Sequence, residues 1–240
     1  MKKKRLDDIL ISQNLASDKN DAFIVVTEGR VFVDGQKAVS PSQLVPAGAD
    51  IAVCKNDGYV GRGALKLEGA IKDFGLQPQG KICADIGAAT GGFTEVLLKY
   101  GAKKVYAIDT AKGKLAEKIR KDERVAVMED TNILYLNALP ERVDLATIDV
   151  SFTSLRLVLP ALEKFLIKGG EVVALFKPQY ETRDHDMLKH GIVRDDVARE
   201  GLLLDFKRWL ENTDWTLDGS IKSPIRGSKG NTEYLLYLRK

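Results

Sequence analysis

A chain of 240 residues, 44% hydrophobic and 30% charged, has room for one sizeable domain and a small companion, and its composition excludes the collagenous, disordered and disulfide-stapled classes. Lysine plus arginine exceed aspartate plus glutamate by only 37 to 34, so net charge singles out no nucleic-acid partner and a basic surface must come from local clustering. Cys54 and Cys83 form no Cys-x-x-Cys pair, and no run approaches the roughly 18 apolar residues of a membrane span.

The basic opening Met1-Lys2-Lys3-Lys4-Arg5 is interrupted by Leu6-Asp7-Asp8-Ile9-Leu10 before any signal-peptide core forms, so a cytoplasmic protein without membrane contact is expected. Residues 1–58 read as a small α+β unit. Leu6, Ile9, Leu10 and Leu15 suit one face of a short helix. Ser17 is expected to cap a second helix, from Asp18 to about Thr27 with its stop near Gly29. Val31-Phe32-Val33 then runs into Asp34-Gly35, a hairpin turn signal, and Ile51-Ala52-Val53 supplies another strand after Pro46-Ala47-Gly48. Lys55-Asn56-Asp57-Gly58 reads as the linker.

Residues 59–240 alternate strand-length apolar runs with amphipathic stretches, the pattern of an α/β domain with a parallel, Rossmann-like sheet. Strands are predicted at Ile82–Ile86, Lys104–Ile108, Val125–Met128, Asp144–Ile148, Glu171–Phe176, Trp215–Ser220 and Glu233–Leu238. No helix-length segment separates the last two, so they are predicted to form an antiparallel hairpin. His185 and His190 match no helical metal-ligand spacing; no metal site is expected, and their polar segment reads as a mobile, substrate-facing loop.

The sharpest local feature is Asp85-Ile86-Gly87-Ala88-Ala89-Thr90-Gly91-Gly92-Phe93-Thr94, a glycine-rich turn between a strand and a helix. A dinucleotide fingerprint needs glycine at position 89, where this chain has Ala89, which counts against a pyrophosphate. Asp85 is expected to attract the cationic amino-acid end of S-adenosylmethionine. Asp109, at the end of the second strand, is placed to accept the ribose hydroxyls, and Asp130, after the third, to accept from the adenine amino group. The alternative for any one of these acids is a helix cap.

For the methyl acceptor, three chemistries drop out. No cysteine follows Cys83, so pyrimidine C5 attack has no nucleophile. Asp149-Val150-Ser151-Phe152 lacks the prolines of adenine amino-methyltransferases, and two cysteines cannot hold a radical-generating iron–sulfur cluster. Lys66, Asp149, Lys177 and Glu233 remain, and two lysines with two acids suit orientation and deprotonation of a ribose hydroxyl. Taken singly, Lys66 on an amphipathic helix reads more readily as a solvated cation and Lys177, before Pro178, as a strand terminator; their significance depends on meeting in space.

The segments Gly61-Arg62-Gly63-Ala64-Leu65-Lys66-Leu67, Asp85–Thr94, Asp149–Phe152, Phe176-Lys177-Pro178-Gln179-Tyr180-Glu181 and Ser223–Glu233 together resemble the TlyA family. That family is known both as hemolysin A and as ribosomal RNA 2′-O-methyltransferases with an FtsJ-like catalytic domain. The resemblance implies S-adenosylmethionine as donor, held by Asp85, Gly87, Ala88, Thr90, Gly91, Gly92, Phe93, Asp109 and Asp130. It implies Lys66, Asp149, Lys177 and Glu233 as a catalytic tetrad, and a cytidine ribose in ribosomal RNA or ribosomal subunits as substrate.

Residues 1–58 likewise resemble an S4 RNA-binding domain in Arg5-Leu6-Asp7, around Lys19 and Ala22, and in Gly29–Gly35. RNA contacts are assigned on this basis to Lys4, Arg5, Lys19 and Arg30, with Arg62 of the second unit as a further candidate; Asp18-Lys19 stands where many S4 domains carry Ser-Arg. Phe152 is a candidate to stack on the target base. A membrane-active hemolysin and a catalytically silent RNA-binding protein are the competing readings, and a monomer and a weak dimer are both open.

Overall fold

The computed structural model describes residues 3–27, 30–34, 36–46, 48–53, 58–182, 184–227 and 230–240. They fall into two compact units, residues 1–58 and 59–240. The expectations placed on Gly29, Gly35, Ala47, Cys54 and the linker residues 55–57 lie outside the described residues.

The first unit runs β1 (Lys3–Arg5), α1 (Leu6–Ser12), α2 (Lys19–Thr27), β2 (Val31–Val33), β3 (Gln36–Lys37), β4 (Leu44–Pro46) and β5 (Ile51–Val53). Its core is Leu6, Ile9 and Leu10 of α1 against Ala22, Val25 and Val26 of α2, closed by Val31 and Val45. β2 pairs antiparallel with both β3 and β5. Ser17 does not cap α2. The Asp18 carboxylate accepts from the Asp21 amide at 2.8 Å, while Ser17 donates its own amide to Asp21 Oδ2 at 2.7 Å. A carboxylate is the stronger acceptor, so the cap lies one residue later than the hydroxyl signal implied.

The second unit runs α3 (Gly63–Phe74), β6 (Ile82–Ile86), α4 (Gly92–Lys99), β7 (Lys104–Ile108), α5 (Glu117–Arg120), β8 (Val125–Met128), β9 (Val143–Ile148), α6 (Leu155–Glu163), β10 (Leu166–Phe176), α7 (Pro178–Glu181), β11 (Leu188–Lys189), β12 (Ile192–Val193), α8 (Asp196–Leu210), β13 (Thr216–Lys222) and β14 (Tyr234–Arg239). Among the described residues its main sheet has seven strands in the order β13-β14-β10-β9-β6-β7-β8. β8, β7, β6, β9 and β10 are mutually parallel. β14 pairs antiparallel with β13, as expected, and is also inserted antiparallel beside β10.

The two-residue period of the strands sorts side chains onto two cores. Ala84, Ile86, Tyr106 and Ile108 face Leu155, Val158 and Leu159 of α6 and Phe206 of α8. Cys83, Val105 and Leu145 face Leu67 and Ile71 of α3 and Val96 and Leu97 of α4. Because β6 is flanked by β7 on one side and β9 on the other, chain crossovers diverge there and open a crevice at the strands' C-terminal ends, where open α/β sheets bind ligands.

The segment carrying His190 folds into the β11–β12 hairpin. Asn231 fixes it: its Oδ1 accepts from the Val193 amide at 3.2 Å, and its amide nitrogen donates to Gly191 O at 3.0 Å.

Candidate active site

The crevice edge gathers the polar residues by topology. Parallel strands place all their C-terminal ends on one edge, so Gly87 follows β6, Asp109 follows β7, Asp149 follows β9 and Lys177 follows β10. Antiparallel β14 starts on that same edge, with Tyr234 opposite Phe176, and so delivers Glu233 beside Lys177. Lys66 comes from the first turns of α3.

These four side chains form one continuous chain of contacts. Lys66 Nζ donates to Glu233 Oε2 at 2.7 Å and lies 3.9 Å from Asp149 Oδ2. Lys177 Nζ lies 2.5 Å from Asp149 Oδ1 and donates to Val150 O at 2.8 Å. Lys66, Lys177 and Glu233 are almost fully buried, while the Asp149 side chain keeps 21% exposure, so the group opens to solvent at Asp149. Burial alone would raise the Asp149 carboxyl, but attraction to Lys177 and Lys66 and the Lys177 hydrogen bond outweigh it and hold Asp149 below its ordinary value. Two cations and two anions balance, which is how buried charges persist in an apolar setting. At Gly227 any Cβ would collide with the Glu233 carboxylate, so this glycine admits the acid to its place.

The segment after β10 is tied to the one after β9. The buried Glu181 carboxylate accepts from the Leu155 amide at 2.7 Å and from Ser154 Oγ at 2.6 Å. Burial pushes the Glu181 carboxyl up, and those hydrogen bonds and Arg156 offset part of that shift. Phe152 stands 86% exposed at the positive φ of 62°, its ring 5.1 Å from that of Tyr180, and Lys177 Nζ lies 5.8 Å from the Tyr180 ring centre. An aromatic residue held exposed in the left-handed region is a costly arrangement for the fold alone.

Beside the tetrad lies a cavity of about 320 Å³, within the range of small-molecule sites. Ile86, Ile108, Ile133 and Val158 make apolar walls, and Asp109 and Asp149 are its ionisable lining residues. Asp109 is fixed by backbone: its Oδ2 accepts from the Ala89 amide at 2.8 Å and its Oδ1 from the Ala111 amide at 2.7 Å. Each oxygen keeps a lone pair for a ligand hydroxyl. At Gly87, φ is +85° and a Cβ would sit 2.5 Å from Asp149 O, so glycine lets the turn lie against the segment carrying Asp149.

The predicted cofactor residues divide accordingly. Gly87 and Asp109 line the cavity. Ala88, Gly91, Gly92 and Phe93 are buried in the turn and Thr90 is half-buried, so they shape the loop without lining the cavity. Asp85 is not aimed at a ligand. It is fully buried, and its carboxylate accepts from Thr94 Oγ1 at 2.6 Å and Thr147 Oγ1 at 2.9 Å, pinning α4 and β9 to β6 from beneath. Burial raises its carboxyl to about 6 despite those hydrogen bonds. Asp130 is exposed and absent from the lining; Thr131, Asn132 and Ile133 take that wall instead. The apolar Ile133 two residues after Thr131 was the one sequence signal for them.

Of the predicted RNA contacts, Arg5 is committed to the fold. It forms a two-pronged pair with buried Asp7, at 3.0 and 2.6 Å, and that pairing holds Asp7 below the usual carboxylate range. Lys4 is exposed, Lys19 lies 3.6 Å from Asp8, Arg30 is half-buried, and half-buried Arg62 occupies the N-cap of α3.

Residues 59–240 match the FtsJ-like methyltransferase family. The chain belongs to this family. The 16S/23S rRNA (cytidine-2′-O)-methyltransferase TlyA of Mycobacterium tuberculosis is 39% identical, over 99% of this chain and 90% of its own. Hemolysin A of Brachyspira hyodysenteriae is 39% identical over 97% of this chain and 98% of its own. A solved structure from Streptococcus thermophilus, provisionally named a hemolysin, superposes with a TM-score of 0.78 at 39% identity, covering 100% of this chain and 89% of that one.

S-adenosylmethionine is the methyl donor of this FtsJ-like methyltransferase, and the cavity suits it. Apolar walls fit an adenine plane, and the carboxylates of Asp109 and Asp149 favour a ligand bearing sulfonium and ammonium charges. Among the described residues no lysine or arginine lines the cavity, so a pyrophosphate would meet carboxylates without compensation.

Proposed function

We propose that this protein transfers a methyl group to a ribose 2′-hydroxyl of ribosomal RNA, on a cytidine as the name of its Mycobacterium tuberculosis relative specifies. The observation that carries this reading is the chain Glu233–Lys66–Asp149–Lys177 beside a cavity suited to a cationic donor. Bound S-adenosylmethionine supplies an electrophilic methyl group on sulfur.

The protein's share is positioning and charge. An ammonium has three donors, and two of those on Lys177 are occupied by Asp149 and Val150 O, leaving one for the target oxygen. The lysine orients that oxygen and neutralises charge as it develops, and the departing proton enters the Lys177–Asp149 pair. Glu233 holds Lys66, which in turn steadies Asp149. Exposed Phe152 and half-buried Tyr180 offer faces on which a nucleotide drawn out of its stack can rest. Residues 1–58 act as an S4-like grip on the RNA, with Lys4, Lys19 and Arg30 contributing charge.

The test is transfer of tritiated methyl from S-adenosylmethionine to unmodified ribosomal subunits and to naked ribosomal RNA, comparing wild type with Lys177→Ala. Label on a ribose, recovered in nuclease-resistant dinucleotides and lost in the variant, is the expected result. Cofactor binding without transfer to any of these substrates would overturn the substrate assignment.

A further inference from the structure

A second cavity, of about 450 Å³, lies apart from the cofactor crevice and contains no member of the tetrad. Its walls come from the end of the β11–β12 hairpin, the start of α8 and the loop that leads into Glu233. Arg194, Arg199 and Arg226 line it against the single carboxylate of Asp196, leaving an excess of positive charge.

The three arginines are not equivalent. Arg199 is structural: its side chain is 12% exposed, it donates to the carbonyls of Val193 and Arg194 at 2.8 Å each, and it is paired with Asp196. Its Nε–H finds no partner, so one buried donor adds to the positive potential. Arg194 and Arg226 are exposed, and among the described residues neither side chain has an ion-pair or hydrogen-bond partner. Thr232 also lines the cavity, its hydroxyl likewise without a partner among the described residues.

An arginine pair with no acid to satisfy it, set in a concavity beside a hydroxyl, is the donor set that grips a phosphodiester through two-pronged hydrogen bonds. Its place in the chain gives the phosphate a role. Thr232 lines the cavity and the next residue, Glu233, joins the tetrad, so one loop serves both the cavity and the tetrad.

We propose that the cavity between Arg194 and Arg226 binds a backbone phosphate of the RNA strand that carries the target nucleotide. This inference rests on RNA being the substrate. It predicts that the pair contributes to RNA affinity and to its salt dependence but not to the methyl-transfer step.

The experiment measures binding of the full-length protein to a fluorescein-labelled single-stranded ribosomal RNA fragment by anisotropy across a potassium chloride series. Wild type is compared with the double variant Arg194→Gln/Arg226→Gln and with Arg194→Lys/Arg226→Lys; both positions are exposed, so folding is preserved, and thermal melting checks this. For the glutamine variant we expect RNA affinity to fall about tenfold, with a log–log salt slope shallower by about 0.7 for each phosphate released. Binding of S-adenosylhomocysteine and kcat at saturating RNA should stay within about twofold of wild type, and the lysine variant should regain the slope but only part of the affinity.

An unchanged slope and affinity in the glutamine variant would overturn the proposal even if wild type methylates RNA. Retained slope together with lost binding to phosphatidylglycerol vesicles would assign the cavity to a lipid surface and overturn it equally. A wild type that binds RNA with an arginine-dependent slope yet transfers no methyl group would refute the enzymatic reading and leave this site standing.

Discussion

Lys177 Nζ lies 2.5 Å from Asp149 Oδ1, and the two residues follow directly from the ends of adjacent parallel strands, so the sheet itself sets their separation. Asp149 meets Lys66 with its other oxygen, which makes it the bridge between the two lysines. Replacing Asp149 with Asn keeps the shape and removes the charge. We expect Asp149→Asn to lower kcat by about two to four orders of magnitude, the usual span for a positioned proton-transfer group. Single-turnover transfer to ribosomal RNA is the measurement, and a loss below about tenfold would remove Asp149 from the chemistry.

Lys66 has a second consequence. Its ammonium is the hydrogen-bond partner of Glu233, whose side chain is 4% exposed. Truncation by Lys66→Ala leaves a buried carboxylate without a cation, which costs about 3–5 kcal/mol in comparable buried pairs. Chemical denaturation should therefore show a large loss for Lys66→Ala. The double variant Lys66→Met/Glu233→Leu should recover much of that stability while remaining inactive. Equal stability of wild type and Lys66→Ala would mean that the pair is solvated.

The strands of the main sheet were legible because burial on both faces demands continuous apolar runs, as in Val105-Tyr106-Ala107-Ile108. Asp149, Lys177 and Glu233 were legible as residue types in or at the ends of predicted strands, whereas Lys66, on α3, joined them through the family resemblance. Which way a side chain faces was not. Asp85 stands in β6, and the two-residue period turns it inward to Thr94 and Thr147; a strand-end carboxylate in sequence does not reveal that. Asp130 sits at a φ of 53°, and that turn gives the cavity wall to the residues after it. The β11–β12 hairpin escaped notice because its anchor, Asn231, lies 38 residues from Val193, and local propensity carries no trace of so distant a bond.

Asp109 offers a test that separates donor binding from RNA binding. Its carboxylate lines the cavity and accepts two backbone amides, those of Ala89 and Ala111, so it is placed both to meet a ligand and to hold the turn beside it. Asp109→Ala should weaken S-adenosylhomocysteine binding by about ten- to a hundredfold, consistent with losing charge-assisted hydrogen bonds of about 1.5–3 kcal/mol. Titration calorimetry reads this directly. RNA affinity without cofactor should not change, and a parallel loss of RNA binding would place Asp109 in the general integrity of the domain.

Asp85 makes the fold sensitive to pH in a defined direction. Its ordinary value is 3.8, and burial raises it to about 6 in the folded protein. Between those values the folded state holds a proton that the unfolded state has released, so this residue's contribution to stability is greatest below about pH 4 and declines as pH rises to about 6. Above that the buried carboxylate is ionised in both states and the contribution is flat, a cost on the order of 3 kcal/mol at neutral pH. Asp85→Asn keeps the side-chain shape and cannot titrate. Other acids titrate in the same interval, so the quantity to follow is the difference in unfolding free energy between Asp85→Asn and wild type. That difference should shift in favour of the variant as pH rises from about 4 to about 6 and then hold constant. A difference independent of pH would show that Asp85 titrates alike in both states and that Thr94 and Thr147 fully offset its burial.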